Sequence, residues 1–358
     1  MKVAPYLTLV LGLSSAAATA QALPIYSFTD LGSLGGGNSA AYALNDAGQV
    51  AGQSNTSGGN THATLWSGSS IIDLAPASGS NLSYATAINS SGQVVGSILN
   101  SGAVVWSGAS TSLLSLPHGT GGAGTGINDS GQVVGLGSNA AVQWSGGTPV
   151  DLPTIGSGFA AAYAINNAGQ IAGIGPTSSG AFHAMLWNGG TPTDLGTLGG
   201  SSSIAFAINA GGTVAGNSMI AGDEIHAALW IGGSIIDLGE FSGQQTEAFA
   251  INDSNVSVGR AFSGSEAFYH TTDRALLWEN GRAFDLNSML DPTAVQAGWV
   301  LQYATGINSQ GWIVGHAVNA LTGGDTAFLL KPVPLPSAIW LLGSTLAGLS
   351  GLSRRPLR

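Results

Sequence analysis

The sequence contains no cysteine, and only eight of its 358 residues are lysine or arginine. Without cysteine there is no disulfide framework and no thiolate zinc site. So few basic residues exclude a nucleic-acid interface, which needs a cationic face to neutralise phosphates. Charge of either sign is scarce. Asp, Glu, Lys and Arg make up 7% of the chain, against about 25% in ordinary soluble domains, which excludes coiled coils and charge-driven disorder. What the chain does have is apolar and flexible: it is 44% hydrophobic and contains 56 glycines. It has material for a large core and for many tight turns.

Both ends read as targeting segments. Residues 1–22 carry one positive charge at Lys2, an apolar stretch from Val3 to Leu13, and an alanine-rich segment ending at Ala22. That order is the order of a secretory signal, with Ala20 and Ala22 as the small residues at the cleavage site. The apolar stretch is too short, and too interrupted by Pro5, to span a bilayer. The Sec machinery and signal peptidase are the partners this end predicts.

At the other end, Val333-Pro334-Leu335-Pro336 leads into an apolar run closing at Leu352, followed by Arg354, Arg355 and Arg358. From Leu335 the run just reaches the length of a minimal membrane helix, and the arginines would hold its end in the cytoplasm. Residues 333–358 resemble the PEP-CTERM sorting tail of Gram-negative bacteria, in which Pro-x-Pro precedes a short transmembrane helix and a basic end. Leu335 stands where that family has Glu. The resemblance implies recognition by an exosortase, transient anchoring in the inner membrane, and release or attachment at the cell surface. A permanent single-pass anchor is the alternative.

Between these ends one segment recurs seven times. Its first copy is Ala41-Tyr-Ala-Leu-Asn45-Asp-Ala-Gly48-Gln-Val-Ala-Gly52, and the Asn recurs at Asn89, Asn128, Asn166, Asn209, Asn252 and Asn308. The intervals run from 38 to 56 residues. Six copies are followed by a segment ending in Trp66, Trp106, Trp144, Trp187, Trp230 or Trp278. Asp-Leu closes the unit at Asp73, Asp151, Asp194, Asp237 and Asp285. Small-x-small-Ile-Asn reads as an alternating strand, Asn-x-x-Gly as a tight turn, and Gln-Val-Val-Gly as the return strand. With the Trp and Asp-Leu strands, each unit holds four strands. That is the size of a propeller blade.

The termini of the repeat region decide between ring and rod. Tyr26–Leu31 is a fourth strand without the preceding three, and Thr326–Leu330 is a third strand without its fourth. These deficits complete one another if the array closes, since closure leaves no edge exposed. An open solenoid wants polar caps instead. The sequence therefore predicts an all-β, seven-bladed β-propeller over residues 23–332, closed between its N- and C-terminal strands. A parallel β-helix or another β-repeat solenoid ranks second. The Ala-x-Ala strands are expected innermost, where side chains must be small.

Asp194-Leu-Gly-Thr-Leu-Gly-Gly200, the Ile208-Asn209 hairpin and His226-Ala-Ala-Leu-Trp230 resemble the HAF extracellular repeat. That resemblance covers nearly the whole mature chain and implies an extracellular repeat protein with no catalytic residues to carry over.

Chemistry is sparse. His62, His183 and His226 occupy one repeat position in three blades, where other copies carry Gly102, Ala140, Arg274 and Thr326. A shared position in separate blades gives no reason for ligands to converge on a metal. His118, His270 and His316 share no spacing with them. The Asp-Leu acids read as turn caps. Asn45-Asp46-Ala-Gly48 and Asn128-Asp129-Ser-Gly131 lack the alternating acids and final Glu of a calcium loop. No nucleophile elbow, phosphate loop or triad is present. No catalytic, cofactor or metal residue is assigned.

Functional side chains outside the repeat pattern gather late in the chain. Glu240, Glu247, Arg260, Glu266, Tyr269 and Arg274 are the candidate ligand surface. Acids with aromatics there suit a lectin or a carbohydrate-active enzyme; the bland reading is a solvated insertion tied by its own ion pairs. With the targeting ends removed, four basic residues remain against all 18 acids, a net charge of −14. The leading expectation is a secreted, non-enzymatic repeat module whose partners are exopolysaccharide or surface proteins.

Overall fold

The computed structural model describes residues 24–75, 80–119, 121–263 and 272–334. Both targeting ends, apart from Val333 and Pro334, lie outside the described residues, as do Glu266 and Tyr269. Among the described residues no helix is long and apolar enough to cross a membrane.

Seven four-stranded antiparallel sheets form seven blades. Blade 1 runs Gly35–Leu44, Val50–Thr56, Thr61–Ser67 and Ser70–Asp73, each strand pairing with the next. Blades 2 to 6 repeat this order over residues 83–113, 123–151, 161–194, 199–237 and 245–285. Blade 7 takes three strands from the end of the chain, Trp299–Ile307, Ile313–Asn319 and Asp325–Pro332. Its fourth is Tyr26–Asp30, paired antiparallel from Tyr26 opposite Pro332 to Asp30 opposite Phe328. The propeller closes as the complementary ends of the repeat region require.

The first strand of every blade is innermost, and each contacts the corresponding strand of the next blade around the whole ring. Each also carries a β-bulge at one repeat position, between Ala41 and Ala43 in blade 1 and between Ala304 and Gly306 in blade 7. The bulge drives the carbonyl of Ala40 across the strand, where a Cβ on Gly52 would collide with it. The same collision awaits a side chain at each equivalent glycine, through Gly315. This close approach explains the second glycine of the repeat, which adopts no unusual backbone angle.

The bulge also corrects the expectation of a centre lined only by small side chains. The flanking Ala and Gly residues are small, but the bulged residue is Tyr42, Tyr163, Phe206 or Phe249 in four blades. Half-buried, Tyr163, Phe206 and Phe249 pack in sequence across blades 4, 5 and 6, with ring centroids 5.8 and 5.5 Å apart. In the other three blades it is threonine. Thr86 Oγ1 lies 3.0 Å from Val95 O in its own blade and 2.7 Å from Gly124 O in the next.

The core is divided among the blade interfaces rather than pooled. Trp106, for example, packs with Ala51 and Ala63 of blade 1 and Ile88 and Val94 of blade 2. Six interfaces hold one such buried Trp each. The seventh, between blades 6 and 7, has Leu330 at the Trp position. The missing volume is supplied by a turn of 3-10 helix, Leu286–Met289, and a short α-helix, Pro292–Gln296. Leu286, Met289, Leu290 and Ala294 enter the same apolar cluster as Leu330. This helical insertion was not anticipated from the sequence, although Asp291-Pro292 is an N-cap followed by N1 proline. Asp291 accepts from the amides of Thr293 and Ala294, and from Phe28 of the closing strand.

Candidate functional site

The recurring Asn does more than shape its own turn. Asn45 Oδ1 accepts from Gln49 N at 3.0 Å, while Gly48, at φ +78°, completes the hairpin. Its Nδ2 then donates to the backbone carbonyl of Asn89 in the next blade at 3.1 Å. The relay continues through Asn128, Asn166, Asn209, Asn252 and Asn308, and Asn308 returns to Asn45. Seven buried amides thus form a closed belt around the axis.

The belt surrounds an axial cavity of about 280 Å³, lined by the Leu or Ile, Asn and following residue of every blade. Asp46, Asp129 and Asp253 lie on its rim, each already accepting from the blade before it. The Ser90 hydroxyl and amide hold the Asp129 carboxyl below its ordinary pKa. Asp46 and Asp129 belong to the two segments compared above with calcium loops, and their oxygens serve the ring.

The repeat histidines and Asp-Leu acids, treated separately in the sequence, are partners. His62 Nδ1 lies 2.8 Å from Asp73, and His183–Asp194 and His226–Asp237 lie at 2.9 Å. The same aspartates cap turns, at Ala75 N, Gly196 N and Gly239 N. In blade 7 the Thr326 hydroxyl takes the histidine's place and donates to Asp30, which the closing strand contributes. A constant separation of eleven residues was the signal for this pairing. His118 is exposed, 3.8 Å from Asp151. Among the described residues no group of three or more His, Asp or Glu is placed to hold a metal ion.

Two members of the candidate ligand surface, Glu247 and Arg260, lie inside the protein. Glu247 is 6% exposed and Arg260 only 1%. Arg260 bonds Glu247 Oε2 at 2.8 Å and lies 3.4 Å from buried Asp273, with its guanidinium 4.4 Å from the centre of the Phe262 ring. Asn217 of blade 5 donates to the other Glu247 oxygen at 2.8 Å. A charge cluster of this kind is tolerated inside because the ions neutralise and hydrogen-bond one another. Of the remaining candidates, Glu240 is exposed and Arg274 half-buried, donating to the carbonyl of Asp273. Of the four candidates among the described residues, Glu247 and Arg260 are buried together, while Glu240 is exposed.

Arg260 instead belongs to a level of the ring that the sequence reading passed over. In every blade the residue after the second repeat glycine pairs, in register, with the residue just before the bulge region. Around the ring these are Gln53, Ser97, Leu136, Ile174, Asn217, Arg260 and His316. Blades 2 to 4 carry small or aliphatic side chains there; blades 5, 6, 7 and 1, consecutive around the closure, carry hydrogen-bonding ones. Aligning the seven copies on their glycines exposes the split. His316 is 2% exposed and stacks on Tyr303 at 5.0 Å. Burial pushes its pKa below the ordinary value, against the pull of Asp325. Between blades 7 and 1 this level opens into a cavity of about 280 Å³, lined by Asn38, Ser39, Ala40, Gln53, Asn55, His316 and Asp325.

Among solved structures the ring is similar to TolB from Acinetobacter baumannii, with 12% identity, 80% of this chain covered and a TM-score of 0.45. The chain spans 63% of that protein. It is also similar to the Aleuria aurantia lectin, described as a six-bladed β-propeller with a novel fucose recognition mode: 10% identity, 88% of this chain and 97% of that one, TM-score 0.29. A mutant of that lectin bound to alpha-methyl-L-fucoside matches at 10% identity, covering 83% of this chain and 96% of its own, with a TM-score of 0.30. Neither a family model nor a curated protein matches the chain.

Proposed function

We propose that the chain is a secreted or cell-surface β-propeller serving as a non-enzymatic interaction or structural module of the extracellular matrix or envelope. The observation that carries this reading is how its carboxylates are used. Asp73, Asp194 and Asp237 hold turns and histidines, Asp46, Asp129 and Asp253 join blades, and Glu247 shares Arg260 with Asp273. A glycosidase needs two carboxylates facing a sugar, one of them protonated. Glu247 is buried, with its two oxygens bonded to Arg260 and Asn217, which leaves it no open face. The non-enzymatic reading is therefore preferred over a carbohydrate-active enzyme. Export by the Sec machinery and handling by an exosortase rest on the resemblance of the two ends, and exopolysaccharide or surface proteins are the partners it suggests.

Cell fractionation tests the address. Substituting Pro334 and Pro336 by Ala is expected to leave the protein in the inner membrane with its C-terminus attached. Unchanged release would overturn exosortase handling. Polysaccharide turnover that disappears in Glu247→Gln would overturn the non-enzymatic assignment.

A further inference from the structure

The polar level of the ring changes character between its two halves. Across blades 5 and 6 its groups bond one another: Asn217 to Glu247, and Glu247 to Arg260. Across blades 7 and 1 they surround the seam cavity. There Gln53 Oε1 is buried without a hydrogen-bond partner among the described residues. Burying an amide oxygen without a donor costs free energy that an aliphatic side chain would not incur, as Leu136 and Ile174 illustrate at the same position. The cavity that Gln53 lines also offers amides from Asn38 and Asn55, the Ser39 hydroxyl, the His316 ring and one carboxylate, Asp325. Amides both donate and accept, which suits hydroxyl groups, since each hydroxyl does the same. The volume lies at the small end of ligand sites.

We propose that the seam cavity between blades 7 and 1 binds a single sugar-sized polyol, with the Gln53 amide, which lines the cavity, turning to bond one of its hydroxyls. The inference deepens the reading of the chain as an interaction module and rests on it. A polyol is favoured over an anion because the cavity carries Asp325 and no lysine or arginine, and over a flat apolar ligand because its lining is polar. A free monosaccharide and the terminal unit of a glycan chain share this chemistry, and the test separates them.

The full chain is titrated by calorimetry and saturation-transfer NMR with the methyl glycosides of glucose, galactose, mannose and fucose, and with dextran and galactan as polymer arms. At least one glycoside is expected to bind with millimolar affinity. Binding to the polymer alone would still place the polyol in the site as a chain terminus. Gln53→Leu is expected to weaken binding about fivefold to tenfold, the loss of one neutral hydrogen bond, while leaving the denaturation midpoint unchanged or raised. Ser97→Ala, at the equivalent position of blade 2, leaves both unchanged. Absence of binding to every probe overturns the proposal. So does binding that survives Gln53→Leu, and so does a Gln53→Leu variant that loses stability, since the oxygen then serves the fold. None of these failures touches the fractionation result, which tests the module reading by itself.

Discussion

Asn308 Nδ2 donates to the carbonyl of Asn45 at 3.3 Å, across 263 residues of sequence. The bond is one of seven that are alike, yet it alone in the belt joins the last blade to the first. Closure therefore uses devices at different radii, among them this amide near the axis and the Tyr26–Asp30 strand at the rim. The relay repeats one geometry at each blade interface, so each link is tested by the same substitution.

Asn166 is a representative link. Its Nδ2 donates to Asn209 O at 3.0 Å and to Gln170 Oε1 at 2.9 Å, and its Oδ1 accepts from Ala168 N and Gln170 N. Asn166→Ala is expected to cost about 1–3 kcal/mol, the scale of a buried group losing its partner. Asn166→Asp keeps the shape and the acceptor but points an anion at two oxygens. It should cost at least as much as alanine. A urea midpoint for Asn166→Asp above that of Asn166→Ala would remove the donor from the explanation.

Much of this ring was legible in the residues. The seven-fold recurrence, the four-strand unit and the complementary termini each required closure, and Asn-x-x-Gly required the turn. What the sequence did not disclose are relationships set by register between strands. The Asn side chain's reach into the next blade has no local signature, because any turn-forming Asn looks the same. Burial of Glu247 and Arg260 was hidden because charged residues outside a repeat pattern ordinarily read as surface. The polar level through Gln53 and His316 shows only when the seven copies are aligned on their glycines, because its members share a register position and not a residue type.

Tyr26 gives the closing strand an alkaline limit. It is 3% exposed, and burial, reinforced by the charge of Glu279, pushes its pKa up to about 12 from 10.0. The folded state thus binds the phenolic proton more tightly than the unfolded chain does. The associated stability, roughly 2–3 kcal/mol, is fully present below pH 10 and is lost as pH rises toward 12. Urea midpoints should therefore fall over that interval. Tyr26→Phe should flatten the fall, and an unchanged fall in that variant would assign the transition to other groups.

His316 sets the opposite limit. Burial beside Tyr303 lowers its pKa below 6.5, with Asp325 opposing. Here the unfolded chain takes up the proton more readily, so stability is complete above the ordinary histidine range and declines as pH falls through it. The denaturation midpoint is expected to be lower at about pH 5 than at about pH 7.5. His316→Phe keeps a flat ring on Tyr303 and removes the titrating nitrogen. Its midpoint should change less over the same interval; an equal change would mean that the carboxylates dominate.

Arg260 is the most demanding residue to replace. Two buried carboxylates, Glu247 and Asp273, lie against its guanidinium. Arg260→Met removes the positive charge that both face and is expected to cost about 3–5 kcal/mol. Packing alone would predict a milder loss, since methionine fills much of the space over Phe262. The two causes separate in a combined variant. Arg260→Met together with Glu247→Gln and Asp273→Asn removes every charge while nearly preserving volume, and should recover most of the lost stability. If the combined variant remains as unstable as Arg260→Met, then the stacking of the guanidinium on Phe262, rather than neutralisation, holds blade 6 together. Arg260→Lys adds a further distinction, because it keeps the charge but gives up the planar fork that reaches Glu247 by two nitrogens. Its midpoint should fall between those of the native chain and Arg260→Met.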